Sequence, residues 1–234
     1  MLKRDLILRN PIQTLAGEAE SILHAGQFGG ILARAGVGKT ALIVQIALHA
    51  MLHGRNVVHV SLNQPVTRTN LWYREIFGHI ARELQIERAE ALWEEILPHR
   101  FIMTFRTEGF SVPKLEERLT DLIEQNIFLP RMLIIDGLSF EEPPREALAG
   151  LKHYARLNEL GVWFSIRTHR DEEPAPGGLP RQIAEVEDLF EVALSLVPAA
   201  EEVQVNVLKG ASLPSARDRL ALDPATMLVK SRVS

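Results

Sequence analysis

A mostly parallel, twisted α/β sheet with helices on both faces is the fold class this sequence predicts, closed at one end by a C-terminal antiparallel hairpin. Three observations carry that prediction. Residues 33–40, Ala-Arg-Ala-Gly-Val-Gly-Lys-Thr, form a glycine loop between a short apolar run (Phe28, Ile31, Leu32) and an apolar segment with helical spacing, 41–52. Beyond it, β-branched and aromatic runs alternate with longer segments of helical period, the pattern of successive βα units. Near the end, residues 192–197 and 203–208 both alternate across a break at 198–202, as a hairpin does.

Taken in order, residues 1–25 mix apolar clusters with Pro11 and Gly17 and read as a lead-in packed on the core; residues 26–234 read as one domain. The helix after the glycine loop runs over 39–52, and Gly54 suits the left-handed position beyond its end. Residues 57–62, Val-Val-His-Val-Ser-Leu, predict a buried strand. Residues 66–97 carry apolar residues at helical spacing (Leu71, Ile76, Ile80, Leu84, then Leu92 and Ile96), giving two amphipathic helices with a break at 85–88. A strand follows at 101–105. Ser111 caps a helix with Pro113 in its first turn, running to Asn126. Residues 132–136, Met-Leu-Ile-Ile-Asp, are an apolar strand ending in a carboxylate. A helix over 143–160 is stopped by Gly161, a strand spans 162–166, and the Pro- and Gly-rich stretch 171–182 is a loop.

The 234 residues are 46% hydrophobic and 24% charged, with no cysteine and a net charge of −4. Disulfides and thiolate metal sites are thereby excluded. A mildly acidic balance disfavours nucleic acid as a partner, because phosphate contacts supply most of that affinity. The start lacks an uninterrupted apolar stretch, and the apolar run 41–52 is interrupted by Gln45 and His49 and too short to span a bilayer. The expectation is a cytoplasmic protein with no membrane partner.

Strand, glycine loop and helix in that order are the setting of a phosphate-binding P-loop. Gly36 and Gly38 let consecutive N–H groups turn toward an anion, and the helix adds the positive end of its dipole. Ala35, Gly36, Val37, Gly38, Lys39, Thr40 and Ala41 would cradle the nucleotide phosphates, with Lys39 on the β/γ-phosphates and the Thr40 hydroxyl on Mg²⁺. Asp136, ending an apolar strand some ninety residues on, has the Walker-B arrangement and would hold the same metal. Trp72, Trp93 and Trp163 lie on apolar faces and read as core. His24, His49, His53, His59, His79, His99 and His153 show no metal spacing and read as surface or satisfied core residues.

With its flanks, the loop Ala-Arg-Ala-Gly-Val-Gly-Lys-Thr-Ala resembles that of RecA-like P-loop ATPases, especially DnaB-type replicative helicases and KaiC-like proteins. The resemblance continues through Val60-Ser61-Leu62, Ile134-Ile135-Asp136 and the terminal hairpin leading to Lys209-Gly210, over roughly residues 26–230. It implies a RecA core that binds ATP and Mg²⁺, with one strand between the P-loop strand and the Walker-B strand. It also implies a sensor in the polar cluster after Ile166, where a helicase has Gln and this chain has Arg167, with Arg167 or His169 to contact the γ-phosphate, and Lys209 reaching the ATP of a neighbouring subunit in a homo-oligomer. Two positions depart from the family. Asn63 stands where the family places the glutamate that activates water, and an amide cannot take a proton. Ala211 stands where the family has an arginine finger, a loss of roughly 10³–10⁵ in rate. An ATP binder with slow hydrolysis is expected, with Lys39, Asn63 and Arg167 as the residues at the reacting end.

The function that fits these features is a nucleotide-dependent switch or regulator read by a protein partner. A DNA-dependent ATPase of helicase or recombinase type is the alternative on the same fold, disfavoured by Asn63 and by the acidic, proline-stiffened 141–144 (Glu-Glu-Pro-Pro) where recombinases place a DNA loop. A MinD/ParA-like ATPase is more distant: Arg34 lies where that class has its signature lysine. A small-molecule kinase lacks a lid of clustered arginines, and a GTPase lacks its Asn-Lys-x-Asp signature.

Overall fold

Nine strands join in one sheet among the residues that the computed structural model describes: 6–7, 10–16, 21–62, 64–141, 145–169, 179–210 and 219–232. In chain order they are β1 (Phe28–Ala33), β2 (Val57–Leu62), β3 (Arg100–Phe105), β4 (Met132–Asp136), β5 (Gly161–Arg167), β6 (Val192–Ala199), β7 (Glu202–Lys209), β8 (Arg219–Leu222) and β9 (Val229–Arg232). Their spatial order is β3-β2-β4-β5-β1-β6-β7-β8-β9. Pairing is parallel from β3 through β6 and antiparallel from β6 to β9. One strand, β5, therefore separates the strand before the glycine loop from the strand ending in Asp136.

The helices are α1 (Ile12–Ala16), α2 (Lys39–Leu52), α3 (Val66–Glu83), α4 (Ala89–Ile96), α5 (Val112–Glu124), α6 (Arg145–Leu157) and α7 (Arg181–Ala184). Alternate residues of each central strand face opposite sides, and both sides are covered. Ile31, Val57, Ile134, Trp163 and Leu194 pack with α2, α3, α4 and the lead-in residues Leu6, Ile12, Leu15, Ile22 and Leu23. Leu32, Val58, Leu133, Ile135 and Phe164 pack with α5, α6 and residues 183–190. A sheet buried on both faces explains why β1 and β4 read as apolar runs and why β2 is apolar apart from His59 and Ser61.

Helix α2 is apolar almost all round, as a helix buried against a sheet must be, with every residue from Ala41 to Leu52 buried. It ends as the sequence predicts. Gly54 takes φ +71°, the Arg55 N–H donates to Ala50 O at 3.0 Å and the Gly54 N–H to Met51 O at 2.9 Å, a Schellman closure. The α3–α4 break falls at Gln85, and Ser111 Oγ accepts from Lys114 N at the start of α5. Gly29 has a different use: a Cβ there would lie 2.6 Å from the Trp163 ring, so its absence lets the indole lie against β1.

Four boundaries differ from expectation. Helix α6 ends at Leu157, turned by Glu159 at φ +55° with Leu160 N donating to Ala155 O, while Gly161 opens β5. Residues 143–144 of the expected helix lie outside the described residues. The β6–β7 hairpin is tighter than the expected break: Pro198 pairs with Val203 and Ala199 with Glu202, leaving a two-residue turn. Of the expected loop 171–182, residues 171–178 lie outside the described residues and 181–182 begin α7. Strands β8 and β9 were not anticipated. Four residues each are too few for alternation to stand out.

Candidate functional site

The strand register brings the site together. Ser61 pairs with Asp136 and Asp136 with Ser165, so three polar side chains form one row across β2, β4 and β5 at their carboxyl ends, the place where ligands bind in parallel sheets. The glycine loop rises from β1 beside this row. Gly36 (φ +79°) and Gly38 (φ +115°) take backbone conformations that favour glycine. Helix α2 starts at Lys39 with no side chain capping its first turn, so its leading amides are free to face an anion. A cavity of about 330 Å³ opens here, lined by Gly36, Gly38, Lys39, Thr40, Ala41 and Asp136 at its polar end. Gln64 after β2 and Arg68, Thr69 and Trp72 of α3 line it as well, together with Met227 from the β8–β9 turn.

Asp136 is the most heavily engaged group. Ser165 Oγ donates to its Oδ1 through a short hydrogen bond, and the same hydroxyl accepts from Gly137 N at 3.1 Å. Thr40 Oγ1 donates to Asp136 Oδ2 at 3.3 Å across 96 residues of chain. The Nε2 of His59, a fully buried imidazole, stands 3.9 Å from that same oxygen. Burial lowers the His59 pKa to about 4, against the pull of Asp136, so the ring is neutral at ordinary pH. Its Nδ1 lies 3.0 Å from the Tyr73 hydroxyl, and burial raises the Tyr73 pKa, so that hydroxyl keeps its proton. Lys39 Nζ donates to Ala33 O at 2.8 Å and Arg34 O at 2.9 Å, folding back on the loop. Burial lowers its pKa from the ordinary lysine value; Asp136 opposes that and Arg167 adds to it.

No protein-family model and no curated protein matches this chain.

The predicted site residues divide into three groups. Gly36, Gly38, Lys39, Thr40, Ala41 and Asp136 line one cavity, with Ala35 and Val37 in the same loop. Arg167 ends β5 opposite Ala33, exposed and off the cavity wall, acting on Lys39 through its charge. Lys209 stands apart at the end of β7, its Nζ donating to Glu187 O at 2.8 Å. Asn63 and Ala211 lie outside the described residues, as do Glu142, Pro143 and Pro144; Glu141 is exposed, 3.6 Å from His169.

Several site residues escaped the sequence pattern. Trp93 and Trp163 are core as expected, but Trp72 is half-buried on the cavity wall. His59 is not a satisfied core histidine, since its Nε2 has no hydrogen-bond partner. A signal existed: His59, Ser61 and Ser165 are polar residues inside otherwise apolar strands, at positions whose parity matches Asp136. Without the strand order, nothing joined them. Among the described residues no group of three or more acidic or histidine side chains could cage a metal, and no helix is long and apolar enough to cross a membrane.

Proposed function

We propose that the cavity binds ATP with Mg²⁺ and that the chain is a RecA-like, nucleotide-dependent switch or regulator with slow hydrolysis. The observation that carries this reading is the meeting of Thr40 and Asp136 at 3.3 Å beside the glycine loop. A hydroxyl and a carboxylate are hard oxygen donors, and Mg²⁺ is usually held by one or two such groups plus substrate phosphates, so a larger protein cage is not needed. The placement of β5 between β1 and β4 agrees with the core that the resemblance implies. When bound, the metal would neutralise charge on the β- and γ-phosphates.

The chain's own residues divide the remaining work. Loop amides and the α2 N-terminus bind the phosphates, and Lys39 exchanges its loop carbonyls for phosphate oxygens. Trp72 and Met227 offer an apolar wall for the base. Asp136 is the one carboxylate among the described residues lining the cavity, and its oxygens are already engaged by Ser165 and Thr40. With Asn63 in the glutamate position, no second carboxylate among the described cavity residues takes a proton from water, which supports slow turnover. Lys209, off its own cavity, is the residue that the resemblance assigns to a neighbouring copy's ATP in a homo-oligomer. Net charge −4 favours a protein partner over nucleic acid, and a cytoplasmic setting is part of the same reading.

Thermal stabilisation by ATP with and without Mg²⁺, in wild type and Asp136→Asn, tests the metal assignment. Mg·ATP at about 100 times its Kd stabilises wild type by roughly 2.7 kcal/mol; the variant keeps an ATP effect but loses most of the Mg²⁺ increment. An Asp136→Asn protein with the full metal increment contradicts the assignment. Turnover measured with and without single-stranded DNA separates the switch, slow in both, from a DNA-stimulated motor.

A further inference from the structure

Behind Asp136, away from the cavity, lies a buried polar pair that phosphate binding does not use. His59 sits on β2 two residues before Ser61, on the same face, with no exposed surface. Tyr73 is equally buried on α3. The Tyr73 hydroxyl is 3.0 Å from His59 Nδ1, and the two rings meet edge-on with centroids 5.6 Å apart. The Arg100 guanidinium lies over the outer face of Tyr73, 4.6 Å from its centroid. His59 Nε2 has no hydrogen-bond partner and stands 3.9 Å from Asp136 Oδ2.

A buried polar nitrogen without a partner is costly and calls for an explanation. A neutral imidazole carries one proton, and the bond made by one nitrogen decides where it resides. When the phenol is the donor to Nδ1, the imidazole proton is on Nε2, the nitrogen that stands 3.9 Å from the carboxylate. We propose that His59 is a positioning residue for Asp136: Tyr73 fixes its tautomer, and its Nε2–H supports the carboxylate from behind.

Thr40 donates to the same oxygen only while its hydroxyl is not spent on a metal. The His59 donor belongs to the buried frame and remains. Outer-shell partners of a metal ligand orient it and tune its basicity, and removing one weakens metal binding by about 10–100-fold; a modest inward shift of Asp136 from 3.9 Å brings Nε2 into that role. The role rests on the reading of Asp136 as a metal ligand given above.

Two measurements on the full chain test it. Nitrogen-15 chemical shifts of His59 in the ligand-free protein report the tautomer directly; the Nε2–H form is expected, with Tyr73→Phe shifting population toward Nδ1–H. Mn²⁺ affinity at saturating ATP is then compared in wild type, His59→Phe and His59→Gln, beside ATP affinity in EDTA. His59→Phe lowers Mn²⁺ affinity about tenfold or more and leaves metal-free ATP affinity unchanged. His59→Gln restores most of the loss, because its amide nitrogen reaches the place of Nε2. A merely structural histidine would not show this rescue. An Nδ1–H tautomer in wild type overturns the role without any variant, even if both variants fail to fold. Equal Mn²⁺ affinity in the folded Phe and Gln variants also overturns it. Wild type that binds ATP with no metal dependence instead removes the metal reading, a separate outcome that the tautomer leaves visible.

Discussion

Ser165 makes two bonds with one hydroxyl: it donates to Asp136 Oδ1 and accepts from the Gly137 amide. Ser165→Ala removes both bonds, but the half-buried Asp136 and the exposed Gly137 amide line the cavity and can turn to water, so the loss is about 0.5–1.5 kcal/mol, read by urea unfolding; an unchanged midpoint contradicts the network. Asn63→Glu tests the other side of the chemistry. Restoring a base raises single-turnover hydrolysis by about 10² where water is held correctly, and brisk hydrolysis by wild type contradicts the reading of Asn63. The meeting of Lys39, Thr40 and Asp136 at one cavity was legible because those residue types recur at recognisable spacings around a glycine loop. His59 and Trp72 were not, because what each one does depends on which strand or loop lies beside it. A histidine in a β-branched run looks the same whether it faces a leucine or a carboxylate.

Among the elements, the β8–β9 pair shows where local pattern fails and tertiary contact takes over. Gln45, buried on α2, donates to Met227 O at 2.8 Å and accepts from Val229 N at 2.8 Å. One side-chain amide thus stands in for a strand neighbour and fixes the turn that brings Met227 to the cavity. A polar residue in an apolar helix read only as an interruption; its partners lie 182 and 184 residues away. Gln45→Leu leaves two backbone groups unpaired and speeds hydrogen exchange at Val229, with a stability loss of roughly 2 kcal/mol or more. Exchange as slow as in wild type contradicts the clamp. The α2 stop was legible, by contrast, because Gly54 acts through its own backbone. Nothing lies within 4 Å of a Cβ placed there, so Gly54→Ala costs only the left-handed backbone strain, about 1 kcal/mol by urea unfolding.

At the scale of the whole molecule, two buried histidines contribute to the response to acid between pH about 6.5 and 4. Burial lowers the His49 pKa to about 4, with the neighbouring His53 and Arg55 adding to the effect, and burial likewise depresses His59. In the unfolded chain each returns toward about 6.5. Between those values the unfolded state binds more protons, so stability is whole above pH about 6.5 and falls as pH drops toward 4. For His49 alone the loss approaches about 3 kcal/mol. His49→Leu flattens that acid limb in urea midpoints measured from pH 7 to 4; an unaltered slope contradicts the assignment. The sheet class, the helices on both faces and the closing hairpin were legible from alternation and period. The added strands and the row behind Asp136 were not, because they exist only once distant strands are neighbours.

The most direct measurement is a calorimetric titration of Mg·ATP into wild type and Lys39→Ala. Lys39 is the half-buried first residue of α2, and its ammonium donates to the backbone carbonyls of Ala33, which ends β1, and of Arg34, so its removal spares the core. Wild type binds one ATP per chain, and Lys39→Ala, still folded by circular dichroism, loses that binding. ATP binding of equal affinity in both proteins, or none in wild type, contradicts a nucleotide site at the glycine loop.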